Sequence, residues 1–291
     1  MAVYDAEGNV LSAVYDASGS ELDYAYDAEG NVIFQKEEPP TPVSFPLRVM
    51  SYNVGGWYIG SGSNVPTEKY EQYLALQTGM IQRNDPDILI VQEYMATFSS
   101  GHSALTMLQG LYPYVKAVTG GTYFGRVICS KYPISNYVHN AFTAESSRYY
   151  DSVDVTINGV VITAITTHLG LTQANRNSEI PELIAFCKQH ERFICGGDYN
   201  INGTTGTPYE QNIAPFLNEG FNTANWGAFG NLVTCIEGTS LEDNKGCLDN
   251  VYTSSNISVA NAYVDTTKLT DDIPDYIDHM PIIANLIVPI E

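Results

Sequence analysis

Short apolar segments of strand length recur from residue 47 to the end of the chain. Residues 153–157 and 160–165 flank an Asn-Gly pair, which is typical of a β-hairpin. Residues 66–83 and 173–190 instead carry apolar side chains at helical spacing. Hairpins beside βαβ-like units predict an α/β protein in which two mixed β-sheets pack together and helices cover their outer faces.

The composition narrows the class of protein. Of the 291 residues, 44% are hydrophobic and 16% are charged, which suits one large domain with an appendage. The formal net charge of −20 argues against a broad basic surface for nucleic acid. A nucleolytic site is still compatible with that charge, because a bound metal ion supplies local positive charge. No apolar run is long enough to span a membrane, and residues 1–5 lack the basic and apolar start of a signal peptide.

The first 34 residues repeat a Tyr-Asp-Ala-x-Gly motif every 11 residues, at Tyr4, Tyr15 and Tyr26. Each unit joins a short β-prone piece to a turn that ends in glycine. Units this small bury no core alone, so they must stack, dock or self-associate. We predict an attachment or oligomerisation module over residues 1–34, with a flexible acidic leader as the alternative. Residues 35–46 contain four prolines and are predicted as a stiff linker to the main domain at 47–291.

Five cysteines lie in the main domain. Cys129, Cys187 and Cys195 occur in apolar periodic segments, which predicts small core residues. Cys235 and Cys247 flank a polar loop that contains glycine, and both a disulfide and two free thiols fit that pattern. The CxxC spacing of a structural zinc site does not occur.

Polar residues end six of the predicted strands: Asn53, Glu93, His168, Asp198 with Asn200, Asp249, and Asp278 with His279. Each alone is compatible with a turn, a solvent-facing side chain or a structural hydrogen bond. Loops at strand ends on a rigid sheet are, however, where active sites are built. Carboxylates and amides are hard oxygen ligands suited to Mg²⁺ or Mn²⁺, and two histidines indicate acid–base work on water. Together they predict hydrolysis of a phosphate ester with a bound metal ion.

Seven short motifs follow one another in the main domain: residues 48–53 (RVMSYN), 90–93 (IVQE), 130–134 (SKYPI), 167–169 (THL), 196–200 (GGDYN), 249–251 (DNV) and 278–281 (DHMP). In this order they resemble the endonuclease/exonuclease/phosphatase superfamily, the metal-dependent family of deoxyribonuclease I, sphingomyelinases and inositol polyphosphate phosphatases. The resemblance covers about residues 47–291. It implies a four-layered α/β sandwich and a phosphoester hydrolase that requires a divalent cation such as Mg²⁺ or Mn²⁺.

The resemblance also implies a role for the carboxylates and amides. Glu93 is the implied principal metal ligand, assisted by Asn53 and Asp278. Asp198 is implied to orient or deprotonate the attacking water, and Asn200 to hold the phosphate or the metal.

The histidines are implied to act on the phosphate. His279 contacts the scissile phosphate, with its tautomer fixed by Asp249. His168 is the second histidine of the site and stabilises or protonates the leaving group. Family mechanisms differ over whether Asp198 or a histidine is the base, and the sequence leaves both open.

Several residues are candidates for substrate contacts. Arg126, Arg148 and Arg176 are candidate phosphate ligands, with a surface position as the alternative for Arg148 and Arg176. Tyr94 stands where DNA-cutting members often carry arginine, and Ile277 where a serine is usual. Aromatic residues in or beside the loops that would rim the site are candidates to stack on a base or an apolar headgroup, or else to pack beneath those loops: Trp57, Tyr58, Tyr94, Phe98, Tyr199 and Trp226.

The first prediction is therefore a metal-dependent phosphodiesterase whose substrate is a small molecule, a lipid headgroup or a nucleic acid. A nuclease that cuts DNA or RNA is the close alternative. A third alternative is a structural or attachment protein that carries the enzyme fold as a passenger, and the presence of every polar residue above argues against it. The sequence leaves the compartment, the number of metal ions and the oligomeric state open.

Overall fold

A computed structural model describes residues 14–15, 21–22, 24–26, 32–35, 43–55, 67–94, 104–118, 125–143, 147–201, 209–226, 229–236, 244–267 and 278–290. The chain divides into two compact units, Met1–Pro42 and Val43–Glu291. The described residues of the first unit form two short antiparallel pairs, β1 (Val14–Tyr15) with β2 (Glu21–Leu22) and β3 (Tyr24–Tyr26) with β4 (Val32–Gln35).

The second unit carries the remaining elements. Its described strands are β5 (Ser44–Asn53), β6 (Ile88–Tyr94), β7 (Tyr114–Val118), β8 (Gly125–Ser130), β9 (Ile134–Ala141), β10 (Tyr149–Ile157), β11 (Val160–His168), β12 (Phe193–Asp198), β13 (Asn222–Thr223), β14 (Cys235–Ile236), β15 (Asn244–Gly246), β16 (Asp249–Thr253), β17 (Ser258–Val264) and β18 (Ile282–Pro289). Its described helices are α1 (Thr67–Asn84), α2 (Ala104–Leu111), α3 (Gln173–Cys187), α4 (Tyr209–Asn212) and α5 (Ala214–Asn218). None of these helices is long and apolar enough to cross a membrane.

Twelve of these strands form two mixed six-stranded sheets, and β14 pairs with β15 in a separate two-stranded sheet. The first has the order β17-β18-β5-β6-β8-β7, in which only β5 and β6 are parallel and α1 connects them. The second has the order β13-β16-β12-β11-β10-β9, in which only β11 and β12 are parallel and α3 connects them. Parallel neighbours need such a crossover, so each helix brings two strand ends to the same edge of its sheet.

The core lies in three layers that match the predicted sandwich. Val49 and Ile90 from the first sheet and Ile162 and Ile194 from the second are buried in one cluster between the sheets. A second cluster packs the first sheet against α1 and α2, and a third packs the second sheet against α3 and α5. Each fully buried aliphatic side chain contributes about 1.5–3 kcal/mol to the free energy of unfolding. The four-layered α/β fold is confirmed.

Gly196 and Gly197 permit a close approach of neighbouring chain segments. A Cβ at Gly196 would lie 3.1 Å from Ser51 Oγ on the facing sheet, and a Cβ at Gly197 would lie 2.7 Å from the Thr167 carbonyl oxygen. Neither glycine takes a positive φ, so close packing is the reason for glycine at both positions.

The predicted linker at 35–46 overlaps two strands. Gln35 belongs to β4, and β5 already begins at Ser44. Pro46 fits within β5 because β6 pairs with this strand only from Val49 onward, so no ladder bond to β6 is lost at the proline.

All five cysteines lie in the described part of the chain, and all are buried and free. Cys235 pairs across β14 and β15 with Gly246. Cys247 is the next residue and therefore points away from Cys235, which removes the disulfide alternative.

Candidate active site

The polar strand ends meet at one edge of the two packed sheets. In the second sheet, His168 is the register partner of Asp198, and Asp198 is also the register partner of Asp249. In the first sheet, Asn53 ends β5 beside β6, which carries Glu93 near its end. The two parallel pairs thus deliver carboxylates, an amide and a histidine to one place.

Asp198 lies at the centre of this cluster, and it is 2% exposed. Asn53 Nδ2 donates to Asp198 Oδ2 at 2.9 Å. The Nε2 atoms of His168 and His279 lie 3.4 Å and 3.6 Å from the same oxygen. The Asn200 backbone N–H donates to Asp198 Oδ1 at 2.8 Å. The structure therefore brings both predicted histidines to one carboxylate oxygen.

His279 and Asp249 form a tight buried pair. His279 Nδ1 lies 2.7 Å from Asp249 Oδ2, which leaves Nε2 to face Asp198 and Asp278, the latter at 3.9 Å. Burial alone would lower the pKa of His279, but Asp249 together with Cys235 and Asp198 outweighs burial and raises it well above the usual value. The geometry favours an imidazolium whose orientation Asp249 fixes.

Glu93 sits on a backbone irregularity. The pairing of β6 with β8 shifts register between Val91 and Tyr94, and Glu93 has a φ of 53°. A non-glycine residue in this region is strained, and such strain clusters at functional sites. The bulge turns Glu93 toward the other site residues at the end of β6.

The Asn53 side chain bonds to two carboxylates, and its predicted ligand role stays a prediction. Its amide nitrogen donates to Glu93 Oε1 at 3.2 Å as well as to Asp198, and its oxygen accepts from the Gly55 backbone N–H at 3.0 Å. In this arrangement Asn53 bridges and orients two carboxylates, and its oxygen is already engaged by the backbone.

Two pKa shifts distinguish the acid–base groups. Burial, with a smaller contribution from Asp249, raises the pKa of Asp198 to about 7. Burial lowers the pKa of His168 well below its usual value, and the positive charges of Arg148, His279 and Arg126 lower it further. The site thus contains a carboxyl group that titrates near neutrality beside a neutral imidazole.

Asn200 connects the two strand ends. Its Nδ2 donates to the Leu169 carbonyl at 2.7 Å, and Leu169 N–H donates to the Asp198 carbonyl at 2.9 Å. These bonds fix the loop that follows His168 relative to Asp198. The role of Asn200 toward the phosphate or the metal stays a prediction.

Arg176 is a structural residue and not the phosphate ligand suggested by the sequence. Its Nη1 donates to the carbonyls of Gly170 and Leu171 at 3.0 Å and 2.8 Å, and its Nε donates to Asn212 Oδ1 at 3.0 Å. Glu179 completes the loop clamp by accepting from Gly170 N–H at 2.6 Å. The Arg176 side chain therefore holds the loop after His168 in place.

Arg126 and Arg148 carry their charge close to His168, since both lower its pKa. Arg126 is 1% exposed, and its Nε lies 2.5 Å from Asp151 Oδ2. Its guanidinium also lies 4.9 Å from the centroid of the Tyr149 ring. Neither arginine lies on the surface, and both make the inner part of the site more positive.

Tyr199 is a core residue and not a rim residue as predicted. It is 1% exposed, its hydroxyl donates to the Cys195 carbonyl at 3.0 Å, and its ring packs edge-on against Phe216 and Tyr252. Tyr94 and Trp226 are also buried. The predictions for the other aromatic positions fall outside the described residues: Trp57, Tyr58 and Phe98.

The donor set fits a divalent cation. One oxygen or nitrogen from each of Glu93, His168 and Asp198 lies within 4.8 Å of the others, and Asp198, Asp249 and His279 form a similar group. Among the described residues, none donates a hydrogen bond to the buried Asp249 Oδ1. Carboxylates this close and this buried repel one another, and a cation among them would relieve that repulsion.

Sequence reasoning missed two residues at this site. Asp151 pairs with Arg126, and β10 (YYDSVDVTI) gave only a weak signal for it, because the strand also contains a second aspartate, a serine and a threonine. Cys235 forms an isolated β-bridge with His279, and no sequence signal links residues so far apart along the chain.

Two protein-family models match parts of this chain. The Endonuclease/Exonuclease/phosphatase family model matches residues 50–271, and a RHS Repeat model matches residues 4–33. No curated protein matches the chain.

Solved structures share the fold at low sequence identity. TDP2 from C. elegans is 18% identical with a TM-score of 0.64, covering 83% of this chain and 75% of that one. D. rerio TDP2 complexed with single strand DNA product is 15% identical with a TM-score of 0.61, covering 83% and 98%. The human Nocturnin catalytic domain with bound sulfate anion is 17% identical with a TM-score of 0.59, covering 83% and 94%.

The packed sheets and the carboxylate–histidine centre define a metal-dependent phosphoester hydrolase. The chain belongs to the Endonuclease/Exonuclease/phosphatase family.

Proposed function

We propose that this enzyme is a phosphodiesterase that hydrolyses a compact phosphodiester by attack of water at the Asp198 centre. The observation that carries this proposal is the convergence of Asn53, His168 and His279 on Asp198 Oδ2 within 3.6 Å. Such a spacing suits groups that act on one phosphate and one water.

Glu93 and Asp278 would hold a divalent cation, which when bound would polarise a phosphoryl oxygen and make water more acidic. Asn53 keeps Glu93 and Asp198 in place through its amide nitrogen. The identity of the cation is proposed as Mg²⁺ or Mn²⁺ because the carboxylates are hard oxygen ligands.

Asp198 is proposed to take the proton of the attacking water. Burial raises the pKa of Asp198 above its usual value, which makes this carboxylate a stronger proton acceptor. The Asn200 N–H fixes Oδ1, while Oδ2 accepts from Asn53 and faces His168 and His279.

The histidines are proposed to act on the phosphate and the leaving group. His279, raised in pKa and held by Asp249, would donate from Nε2 to a phosphoryl oxygen. The neutral His168 would hydrogen-bond to the leaving oxygen, with Arg126 and Arg148 attracting the substrate anion.

A compact substrate is favoured by the scarcity of basic groups. The chain has 13 lysines and arginines against 33 acidic residues, so a long polyanion meets few cationic contacts. A nuclease is the second candidate, because the D. rerio TDP2 structure of the same fold holds a single strand DNA product.

The test compares substrates at several salt concentrations. Hydrolysis of bis(p-nitrophenyl) phosphate, sphingomyelin vesicles, inositol phosphates, RNA, single-stranded DNA and plasmid is measured with Mg²⁺, with Mn²⁺ and with excess chelator. We expect activity that requires the cation, favours the compact diesters and depends weakly on salt, with a logarithmic slope of about −2 or shallower for DNA binding. Efficient cutting of DNA with a steep slope identifies the nuclease, and full activity in chelator contradicts both.

Variants at the metal ligands complete the test. Glu93→Gln should lower the rate and raise the cation concentration required, because one negative ligand is lost. Glu219→Gln removes an exposed carboxylate on the helical layer and serves as the matched control. Equal effects of the two substitutions would contradict the ligand role of Glu93.

Residues 1–34 are proposed to serve attachment or oligomerisation and not hydrolysis. Two observations support a separate role: these residues lie in a compact unit of their own, and the RHS Repeat model matches them.

A further inference from the structure

A thiol stands beside the proposed catalytic histidine without a part in the reaction. One ligand atom from each of Cys235, Asp278 and His279 lies within 4.8 Å of the others. Cys235 and His279 form an antiparallel β-bridge, and Met280 N–H donates to the Thr234 carbonyl at 2.7 Å beside it. The backbone therefore holds the thiol and the imidazole as neighbours.

The donor types in this cluster differ from those around Asp198. A thiolate, an imidazole and a carboxylate form a borderline-soft set that suits tetrahedral Zn²⁺, whereas Mg²⁺ requires an octahedron of oxygens. His279 Nδ1 is held by Asp249 at 2.7 Å, which leaves Nε2 as the ligand atom, 3.9 Å from Asp278 Oδ1. A metal-bound histidine whose other nitrogen meets a carboxylate is the usual arrangement at zinc sites.

We propose that Cys235, Asp278 and His279 form an inhibitory Zn²⁺ site, with a water or Asp198 in the fourth position. Binding replaces the thiol proton of Cys235 by a zinc–sulfur bond and the Nε2 proton of His279 by a zinc–nitrogen bond, and both protons leave to the solvent. The negative charges of Asp198 and Asp249 next to His279 favour a dication at this place.

Zinc at this site stops hydrolysis in two ways, and this consequence rests on the proposed function. It occupies His279 Nε2, the atom proposed to contact the phosphate. It also takes Asp278, which is proposed to hold the catalytic cation. A single ion thus removes a phosphate contact and a ligand of the activating metal.

Cobalt spectroscopy tests the site without any activity measurement. Co²⁺ added to the whole protein should produce a near-ultraviolet thiolate-to-cobalt absorption that excess Zn²⁺ abolishes. Cys235→Ser and Cys235→Ala should both lose this absorption, and Cys247→Ser, which removes another buried thiol nearby, should keep it. Absence of the absorption in the unsubstituted protein overturns the proposal, as does its persistence in Cys235→Ala.

Zinc inhibition tests the consequence. At fixed Mg²⁺, the Zn²⁺ concentration for half inhibition is measured for each protein, with the rate of that protein without Zn²⁺ as the reference. Cys235→Ser should raise it by at least about 10-fold, since even an outer-shell partner contributes 10- to 100-fold to metal affinity, and Cys247→Ser should leave it unchanged. An equal inhibition of all three proteins overturns the proposal. If no phosphoester is hydrolysed, the proposed function fails, and the cobalt spectrum still decides the zinc site.

Discussion

Arg126 and Asp151 form an ion pair in which both side chains are 1% exposed and the Nε–Oδ2 distance is 2.5 Å. The second oxygen of Asp151 accepts from Tyr137 Oη at 3.1 Å and lies 2.6 Å from His139 Nδ1. Every oxygen of this carboxylate is thus engaged, and Arg126 is fixed at the side of the site where its charge acts on His168.

The first prediction separates the stabilising and functional roles of this pair. Asp151→Asn should destabilise the protein by about 3 kcal/mol, because it leaves the buried Arg126 without its carboxylate. The double substitution Arg126→Met with Asp151→Leu should recover most of that stability, because a buried pair replaced by apolar groups is often neutral. Hydrolysis should not recover, because the charge beside His168 is lost. Urea unfolding and the kcat/KM of a compact phosphodiester measure the two effects, and recovery of both together would refute the role of Arg126.

The second prediction concerns Asp198. Asp198→Asn should lower kcat on the order of 10²-fold or more, because the amide accepts no proton from water. The fold should persist, since Asn53 and the Asn200 N–H still find a hydrogen-bonding side chain there. Asp154→Asn, on β10 two strands away in the same sheet and outside this cluster, is the control and should retain activity. A variant with normal kcat would exclude Asp198 as the base.

Much of this arrangement follows from local sequence. The helices expected at 66–83 and 173–190 occur at Thr67–Asn84 and Gln173–Cys187 because apolar periodicity reports directly on burial. The meeting of His168 with Asp198 follows from parallel strands joined by a helix, which place their carboxyl ends at the same edge.

The contacts of individual side chains were harder to predict from the sequence. Tyr199 follows the catalytic strand in the sequence, yet its ring is buried by Phe216, and only the position of α5 decides that. Arg176 resembles a phosphate ligand in composition, but its donors are satisfied by loop carbonyls that the sequence does not bring near it. Contacts between distant elements determine these outcomes, and local pattern carries no information about them.

The third prediction is a pH dependence of stability that arises from Asp265. Burial would raise its pKa, but hydrogen bonds from Thr267, Arg83 and Asn84 outweigh burial and lower it. Asn84 Nδ2 and Arg83 Nη2 donate to Oδ2 at 2.6 Å and 2.7 Å, which ties the end of α1 to the end of β17. A lowered folded pKa gives stability that is fully present above the unfolded value of about 3.9 and is lost as the pH falls through the folded pKa.

Asp265→Asn should therefore cost about 1–3 kcal/mol at neutral pH and flatten the loss of stability below about pH 4. Urea unfolding from neutral to acidic pH measures both. Asp85→Asn is the matched control, because this carboxylate is 73% exposed and its pairing with Lys131 contributes little. An identical acid limb in Asp265→Asn and the unsubstituted protein would show that another group controls it.

The last prediction tests whether the two units have separate tasks. A chain that begins at Val43 keeps the bond from Ile290 N–H to the Val43 carbonyl, so the pairing of β5 with β18 is retained. Removal of residues 1–42 should leave kcat/KM for a compact phosphodiester within about two-fold, because every residue proposed for hydrolysis lies in the second unit.

Light scattering should show that the full chain self-associates and the shortened chain does not, since small repeats bury apolar surface only by stacking. The deletion also removes nine acidic residues, so both proteins are compared at several salt concentrations to separate charge repulsion from specific association. Equal self-association of the two chains at every salt concentration would leave residues 1–34 without an oligomerising role, and a large loss of hydrolysis would show that the second unit does not act alone.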